Sequence, residues 1–259
     1  MRAGYDFSGC VVLVTGAASG IGAATARACA AAGATVFAAA IRAAAGSGDI
    51  DGSAKAAVAA AGAGVAAGSV TPVRIDVADA AAVNRLVDDI DRRCGRIDAA
   101  VLAAAVQRRA PLEALTDEEW RRHLAVNLDG VFHCMRALAP VMRRQRRGAM
   151  LAFTSGLATL GWPGAAAYAA SKGALVGLAK CAAHELRADG VRVNVLSPGL
   201  VATPIFLDAA SAAELAMYES SVGVSPPEDV VPTVLYLISD ASASMTGAVV
   251  ERRLVPGHA

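Results

Sequence analysis

The chain has 259 residues, 55% of them hydrophobic, and its 24 basic and 23 acidic side chains leave a formal net charge of +1. That length supports one large α/β domain, and so even a charge balance excludes the electrostatic excess on which nucleic-acid binding rests. Five cysteines, Cys10, Cys29, Cys94, Cys134 and Cys181, are scattered with no Cys-x-x-Cys pair and no histidine at ligand spacing, so they read as reduced core thiols and no metal site is expected.

The N-terminus carries Arg2 and Asp6 and no apolar h-region, so a secretory signal is not expected and the cytoplasm is the expected location. Much of the hydrophobic fraction is Ala, which favours helices but fills little volume, so the Val, Ile and Leu runs must mark the buried strands. In chain order these are Cys10 to Thr15, Thr35 to Ala40, Val70 to Val77, Ile97 to Ala104, Ala149 to Thr154, Val191 to Leu196 and Ala248 to Leu254. Amphipathic or Ala-rich helical stretches lie between them. The alternation predicts a single α/β domain over residues 1–259: a doubly wound parallel sheet of about seven strands, covered on both faces and linked by right-handed crossovers. Residues 43–68 carry Gly46, Gly48, Gly52, Gly62, Gly64 and Gly68 and read as a variable surface segment of the same domain. Gly148 to Ser171 is long and nearly uncharged, but Thr154, Gly156, Gly161, Pro163 and Gly164 break any continuous apolar helix, so no membrane span is expected.

In a sheet of this kind ligands bind beyond the carboxyl ends of the strands. The first strand runs into Thr15-Gly16-Ala17-Ala18-Ser19-Gly20-Ile21-Gly22, a turn whose glycines let a backbone approach a pyrophosphate at a helix N-terminus. Its spacing differs from G-x-G-x-x-G, and a plain tight turn is the alternative. Ser155 follows the fifth strand and reaches the same edge. Tyr168 and Lys172 are four apart, so on a helix they share a face, and a Lys ammonium there would favour the ionised phenol.

Taken with Asn127, these residues strongly resemble the classical short-chain dehydrogenase/reductase family, and the resemblance spans nearly the whole chain. It includes Asp76-Val77 after the third strand, Val126-Asn127-Leu128-Asp129-Gly130, and Val191 through Gly199 with Thr203 beyond. It implies a Rossmann-type fold and NAD(P)-dependent interconversion of a ketone and a secondary alcohol. Tyr168 would be the general acid or base, its pKa pulled below about 10 by Lys172. Lys172 would also hold the nicotinamide ribose, Ser155 would polarise the substrate oxygen, and Asn127 would hold a water linking Lys172 to solvent. Cofactor contacts would come from Gly16, Ser19, Gly20, Ile21, Gly22, Asp76, Val77, Ala103, Ala104, Tyr168, Lys172, Pro198, Gly199 and Thr203. The family resemblance further implies a homotetramer, or at least a homodimer.

Two departures stand out. Where the family shows Asn-Asn-Ala-Gly after the fourth strand, this chain has Leu102-Ala103-Ala104-Ala105, which keeps small residues beside the cofactor but loses the amides. Unless Leu102 repacks an apolar pocket, that loss weakens cofactor binding, and a dinucleotide-binding sensor without chemistry becomes the rival function. At the C-terminus the family's Val-Asp-Gly-Gly gives way to Glu251-Arg252-Arg253-Leu254-Val255-Pro256-Gly257.

The second strand ends without a carboxylate at Ala40, and Arg42 two residues later could pair with a 2′-phosphate. Both NADP(H) and NAD(H) stay open, with Arg42 favouring NADP(H). Residues 204–225 fall where the family carries a mobile substrate lid, and Leu157, Trp162, Met217 and Tyr218 suggest a mainly apolar or cyclic substrate. Arg143, Arg144, Arg146 and Arg147 read as a solvated helix end, with no interleaved aromatics for nucleic acid.

Overall fold

Seven short apolar runs pair in parallel into one sheet in the order β3-β2-β1-β4-β5-β6-β7. They are β1 Val11–Thr15, β2 Thr35–Ala40, β3 Val70–Arg74, β4 Ala99–Leu102, β5 Gly148–Phe153, β6 Val191–Ser197 and β7 Val249–Glu251. The protein is described here from a computed structural model that covers residues 4–41 and 68–253. Arg42, most of the 43–68 segment and the end of the chain from Leu254 lie outside the described residues.

Side chains alternate across the pleat, so a strand buried on both faces must be apolar at every position. In β1 all five residues are buried. Leu13 joins Phe37, Ile90, Leu138 and Met150 in the core on one face, and Val12 and Val14 join Val36, Leu151, Leu196 and Val234 on the other. The first face is covered by α2 Ala80–Cys94, α4 Gly130–Gln145 and α5 Ala166–Leu186, the second by α1 Gly20–Ala31 and α7 Val231–Ile238. Asp79 caps α2 by accepting from the Ala81 and Ala82 amides, and Gly95 ends it in the left-handed conformation at φ 72°.

Several expected boundaries shift. β3 stops at Arg74 rather than Val77, and β4 spans Ala99–Leu102 rather than Ile97 to Ala104. In both places the chain leaves the ladder to line the cleft described below, so the apolar run outlasts the strand. A π-helical turn over Ala125–Asp129 joins α3 Asp117–Leu124 to α4. Cys29 and Cys134 are buried, and burial pushes both thiols up to about 12, whereas Cys181 is exposed and so is not the core thiol expected. The basic run at the end of α4 is not merely solvated: Arg143 and Arg146 pair with Asp189, Arg144 with Asp91 and Arg147 with Asp240. Among the described residues no helix is long and apolar enough to cross a membrane.

Candidate active site

The strand order reverses where β1 lies between β2 and β4, the switch point at which an open α/β sheet forms its crevice. A cleft of about 730 Å³ opens along the carboxyl ends of the strands there. Its wall contains Gly16, Ser19, Gly20, Ile21, Gly22, Asp76, Val77, Ala103, Ala104, Ser155, Tyr168, Lys172, Pro198, Gly199 and Thr203. Of the residues singled out from sequence, Arg42 is outside the described residues and Asn127 lies behind the wall.

The glycine turn has no room for side chains. Gly16 sits at φ 68°, and a Cβ placed on it would lie 2.7 Å from the Ala103 carbonyl and the Ala104 amide nitrogen. A Cβ on Gly20, at φ 54°, would meet Thr203 Cγ2 at 2.8 Å, and one on Gly22 would strike the Gly16 carbonyl oxygen. The turn is therefore clamped between the β4 exit and the segment after β6, with Thr15 Oγ1 accepting from the Ala104 amide at 3.3 Å. Ser19 precedes α1 in extended geometry and makes no side-chain cap, which leaves first-turn N–H groups free to receive an anion. A cradle without Cβ atoms facing uncapped helix donors fits the diphosphate of a dinucleotide. Asp76 stands at the β3 exit, its Oδ1 accepting from the Ala78 amide at 2.9 Å.

Leu102, in place of the family's Asn, is 1% exposed and packs into the main core. The missing amide therefore leaves no unpaired polar group at that position. Asn127 is fully buried: Oδ1 accepts from the Val106 amide at 2.8 Å, and Nδ2 donates to the Val106 carbonyl at 2.9 Å and to Ser171 Oγ at 3.0 Å. Its side chain thus ties the β4 exit to α5.

Tyr168 and Lys172 project from α5 into the cleft one turn apart, with Ser155 at the end of β5 beside them. Lys172 Nζ donates to the Phe153 carbonyl at 2.9 Å and stands 5.8 Å from the centre of the Tyr168 ring. The Thr154 hydroxyl in turn donates to the Lys172 carbonyl at 2.9 Å, which fixes β5 against α5. Burial pushes the Tyr168 phenol up to about 12, with the Ser155 hydroxyl working the other way. The same burial draws Lys172 down to about 8. The low-dielectric wall disfavours both charges, whereas the sequence reading expects Lys172 to favour the ionised phenol.

The wall also sets a pH dependence of stability. Between about 8 and 10.5 the unfolded chain holds the Lys172 proton and the folded one releases it, so stability rises with pH through that window. Above 10.0 Tyr168 opposes it, since the folded state keeps a proton that the unfolded phenol loses. Lys172→Met removes the rise between about pH 8 and pH 10, as read by urea unfolding of both proteins at matched pH. Curves that stay parallel would show that Lys172 is not the group responsible.

One cluster escaped the sequence reading. Glu214, on α6 Ala212–Ser221, accepts from Arg109 Nη1 at 2.6 Å and from Trp162 Nε1 at 2.7 Å. Ser211 closes a capping box on it, and these bonds, led by the Ser211 amide, hold its carboxyl down to about 2. Tyr218, also on α6, packs against the rings of Trp162 and Phe206 at 5.8 and 5.9 Å. The Ser-x-x-Glu spacing of a capping box was the available signal for this helix start. His123, which belongs to no ligand pattern in the sequence, is 1% exposed, and its Nε2 accepts from the Arg108 amide at 3.0 Å.

A glycine cradle facing a Ser, Tyr and Lys group across a switch-point crevice defines an oxidoreductase built to hold a nicotinamide dinucleotide. A family model described as "Enoyl-(Acyl carrier protein) reductase" matches residues 16–251. The chain belongs to the classical short-chain dehydrogenase/reductase family. It is 36% identical over 244 residues to the 3-oxoacyl-[acyl-carrier-protein] reductase FabG of Thermotoga maritima, covering 93% of this chain and 95% of that one. It is 36% identical to the D-threitol dehydrogenase of Mycolicibacterium smegmatis, over 94% of this chain and 92% of that one. Among solved structures, a short-chain type dehydrogenase/reductase from Mycobacterium marinum superimposes with a TM-score of 0.83 at 31% identity, covering 96% of this chain and 95% of that one.

Proposed function

We propose that the protein interconverts a ketone and a secondary alcohol on a mainly apolar or cyclic substrate. The observation that carries this reading is the convergence of Ser155, Tyr168 and Lys172 on the cleft that also contains the glycine cradle. The bound dinucleotide would supply or accept the hydride. In reduction the Tyr168 hydroxyl donates its proton to the substrate oxygen, and the Ser155 hydroxyl donates a hydrogen bond to that oxygen as negative charge develops. Lys172, one helical turn away, places a positive charge beside the phenolate left behind and so lowers the cost of the transfer. Asn127 acts from behind the wall by holding α5 against the β4 exit.

The cleft, rather than the relatives, supports this choice of substrate class. Two relatives of equal identity are named for an acyl-carrier-protein thioester and a sugar alcohol, so identity does not select a substrate. Leu157 and Leu200 line the cleft together with Ile205, Phe206 and Tyr218 from the 204–225 segment. Of the two arginines that line the cleft, Arg109 and Arg122, Arg109 is paired with Glu214. A neutral, apolar body around the carbonyl suits such a wall.

For the cofactor we favour NADP(H). Ala39, Ala40 and Ile41 line the cleft at the end of β2, where a carboxylate would select a free ribose hydroxyl. Parallel fluorescence titrations with NADPH and NADH at fixed salt should give the tighter binding for NADPH. Tighter NADH binding would overturn the preference, and binding of neither would overturn the reading of the cleft. We further propose a homotetramer or homodimer in the cytoplasm, a reading supported by membership of the family. Light scattering should give a dimer or tetramer, and a monomer at working concentration would contradict it.

A further inference from the structure

The divergent C-terminus places an arginine where the lid begins and ends. Arg252 follows β7, and its side chain is 16% exposed. Its backbone N–H donates to the Ser197 carbonyl at 2.9 Å. Its Nη1 donates to the Pro198 carbonyl at 3.2 Å and to Ser225 Oγ at 2.9 Å, and its Nη2 lies 3.8 Å from the Asp229 carboxylate. Pro198 opens the segment leading into the lid and Ser225 closes it. These two ends also pair directly: Ala202 N donates to the Ser225 carbonyl at 2.9 Å and Ser225 N to the Leu200 carbonyl at 3.1 Å. Ser225 is fully buried. Beneath Gly199, at φ 78°, the Arg252 carbonyl oxygen stands only 2.9 Å from where a Cβ would be.

We propose that Arg252 is a positioning residue that fastens both roots of the substrate lid and, through them, sets the height of Thr203 over the glycine cradle. The argument rests on the reading of the cleft given above. A planar guanidinium can bond a carbonyl and a hydroxyl at once and face a carboxylate, which a Lys ammonium at the end of a flexible stem does with poorer geometry. The lid helix is held at its outer end by the Glu214 bonds to Arg109 and Trp162, so loosening its root leaves the outer latch in place. The chain of contact from Arg252 to Pro198, then along the backbone to Thr203 and across to Gly20, couples the root to the cofactor cradle. No part of Arg252 needs to touch substrate for this effect.

The test compares the full-length protein with Arg252→Met and Arg252→Lys, reading amide hydrogen exchange, NADPH affinity and thermal midpoint. Arg252→Met is expected to speed exchange at the Ala202 and Ser225 amides about tenfold, the equivalent of ~1.4 kcal/mol. Exchange in β1, β4 and β5 stays unchanged, NADPH binding weakens, and Arg252→Lys lies between. Root exchange unchanged in a folded Arg252→Met protein would overturn the proposal, as would uniformly faster exchange across the sheet, which marks a merely structural residue. Should Arg252→Met fail to fold, Ser225→Ala deletes one of the two bonds while keeping the charge, and the same amides decide the outcome. The exchange readout needs no cofactor. If the wild type binds neither NADPH nor NADH, the functional reading of the cleft fails while the exchange data still judge Arg252.

Discussion

Tyr168→Phe lowers ketone reduction by roughly 100- to 10,000-fold, the range expected when a positioned proton donor is removed, and leaves NADPH affinity unchanged. The substitution deletes one oxygen and keeps the ring that stands 5.8 Å from Lys172 Nζ, so α5 and the cleft wall retain their packing. The buried phenol, pushed up to about 12, holds its proton throughout the ordinary working range. Reduction therefore finds its donor already protonated, whereas oxidation needs the phenolate and should accelerate as pH rises. Steady-state rates and a binding titration on the same preparations check both halves. Loss of binding together with rate would instead show that the Tyr168 hydroxyl serves cofactor binding rather than proton transfer.

Gly16→Ala abolishes dinucleotide binding and destabilises the fold. A left-handed φ of 68° costs a residue with a Cβ roughly 1–2 kcal/mol, before any clash is counted. The added methyl would then lie 2.7 Å from the backbone of Ala103 and Ala104, atoms that cannot move aside without lifting the β4 exit from β1. Either the turn opens or the β4 exit shifts, and both spoil the cradle. Thermal denaturation and NADPH titration read the two effects separately. A Gly16→Ala protein with native stability and native affinity would show that the cradle is not where the dinucleotide sits.

The strands were legible because a doubly buried parallel strand is apolar at every position, and Thr35–Ala40 stands as expected. The expected ends failed at β3 and β4 for one reason: Ile75, Val77 and Ala103 remain apolar after leaving the ladder, since they line the cleft or pack beneath it. Sequence periodicity does not separate these two kinds of burial. That Ser155, Tyr168 and Lys172 meet at one cleft was legible because two of them are local on one helix and the third follows a strand. Asn127 was placed on the right element, but its partners Val106 and Ser171 lie 21 and 44 residues away, and no local pattern announces such bonds. The same distance hid the bond between Arg109 and Glu214, 105 residues apart, and the Arg252 contact with Ser225. Spacing reports that Lys172 is near Tyr168, while only the fold reports that both groups are buried and that Nζ faces Phe153.

The central claim is that this cleft performs ketone and alcohol chemistry through Tyr168. Its most direct test follows NADPH oxidation by wild type and Tyr168→Phe, side by side, across a panel of apolar and cyclic ketones. The account predicts that the wild type turns over at least one of them and that Tyr168→Phe, binding NADPH equally well, does not. Equal turnover by the two proteins would contradict it.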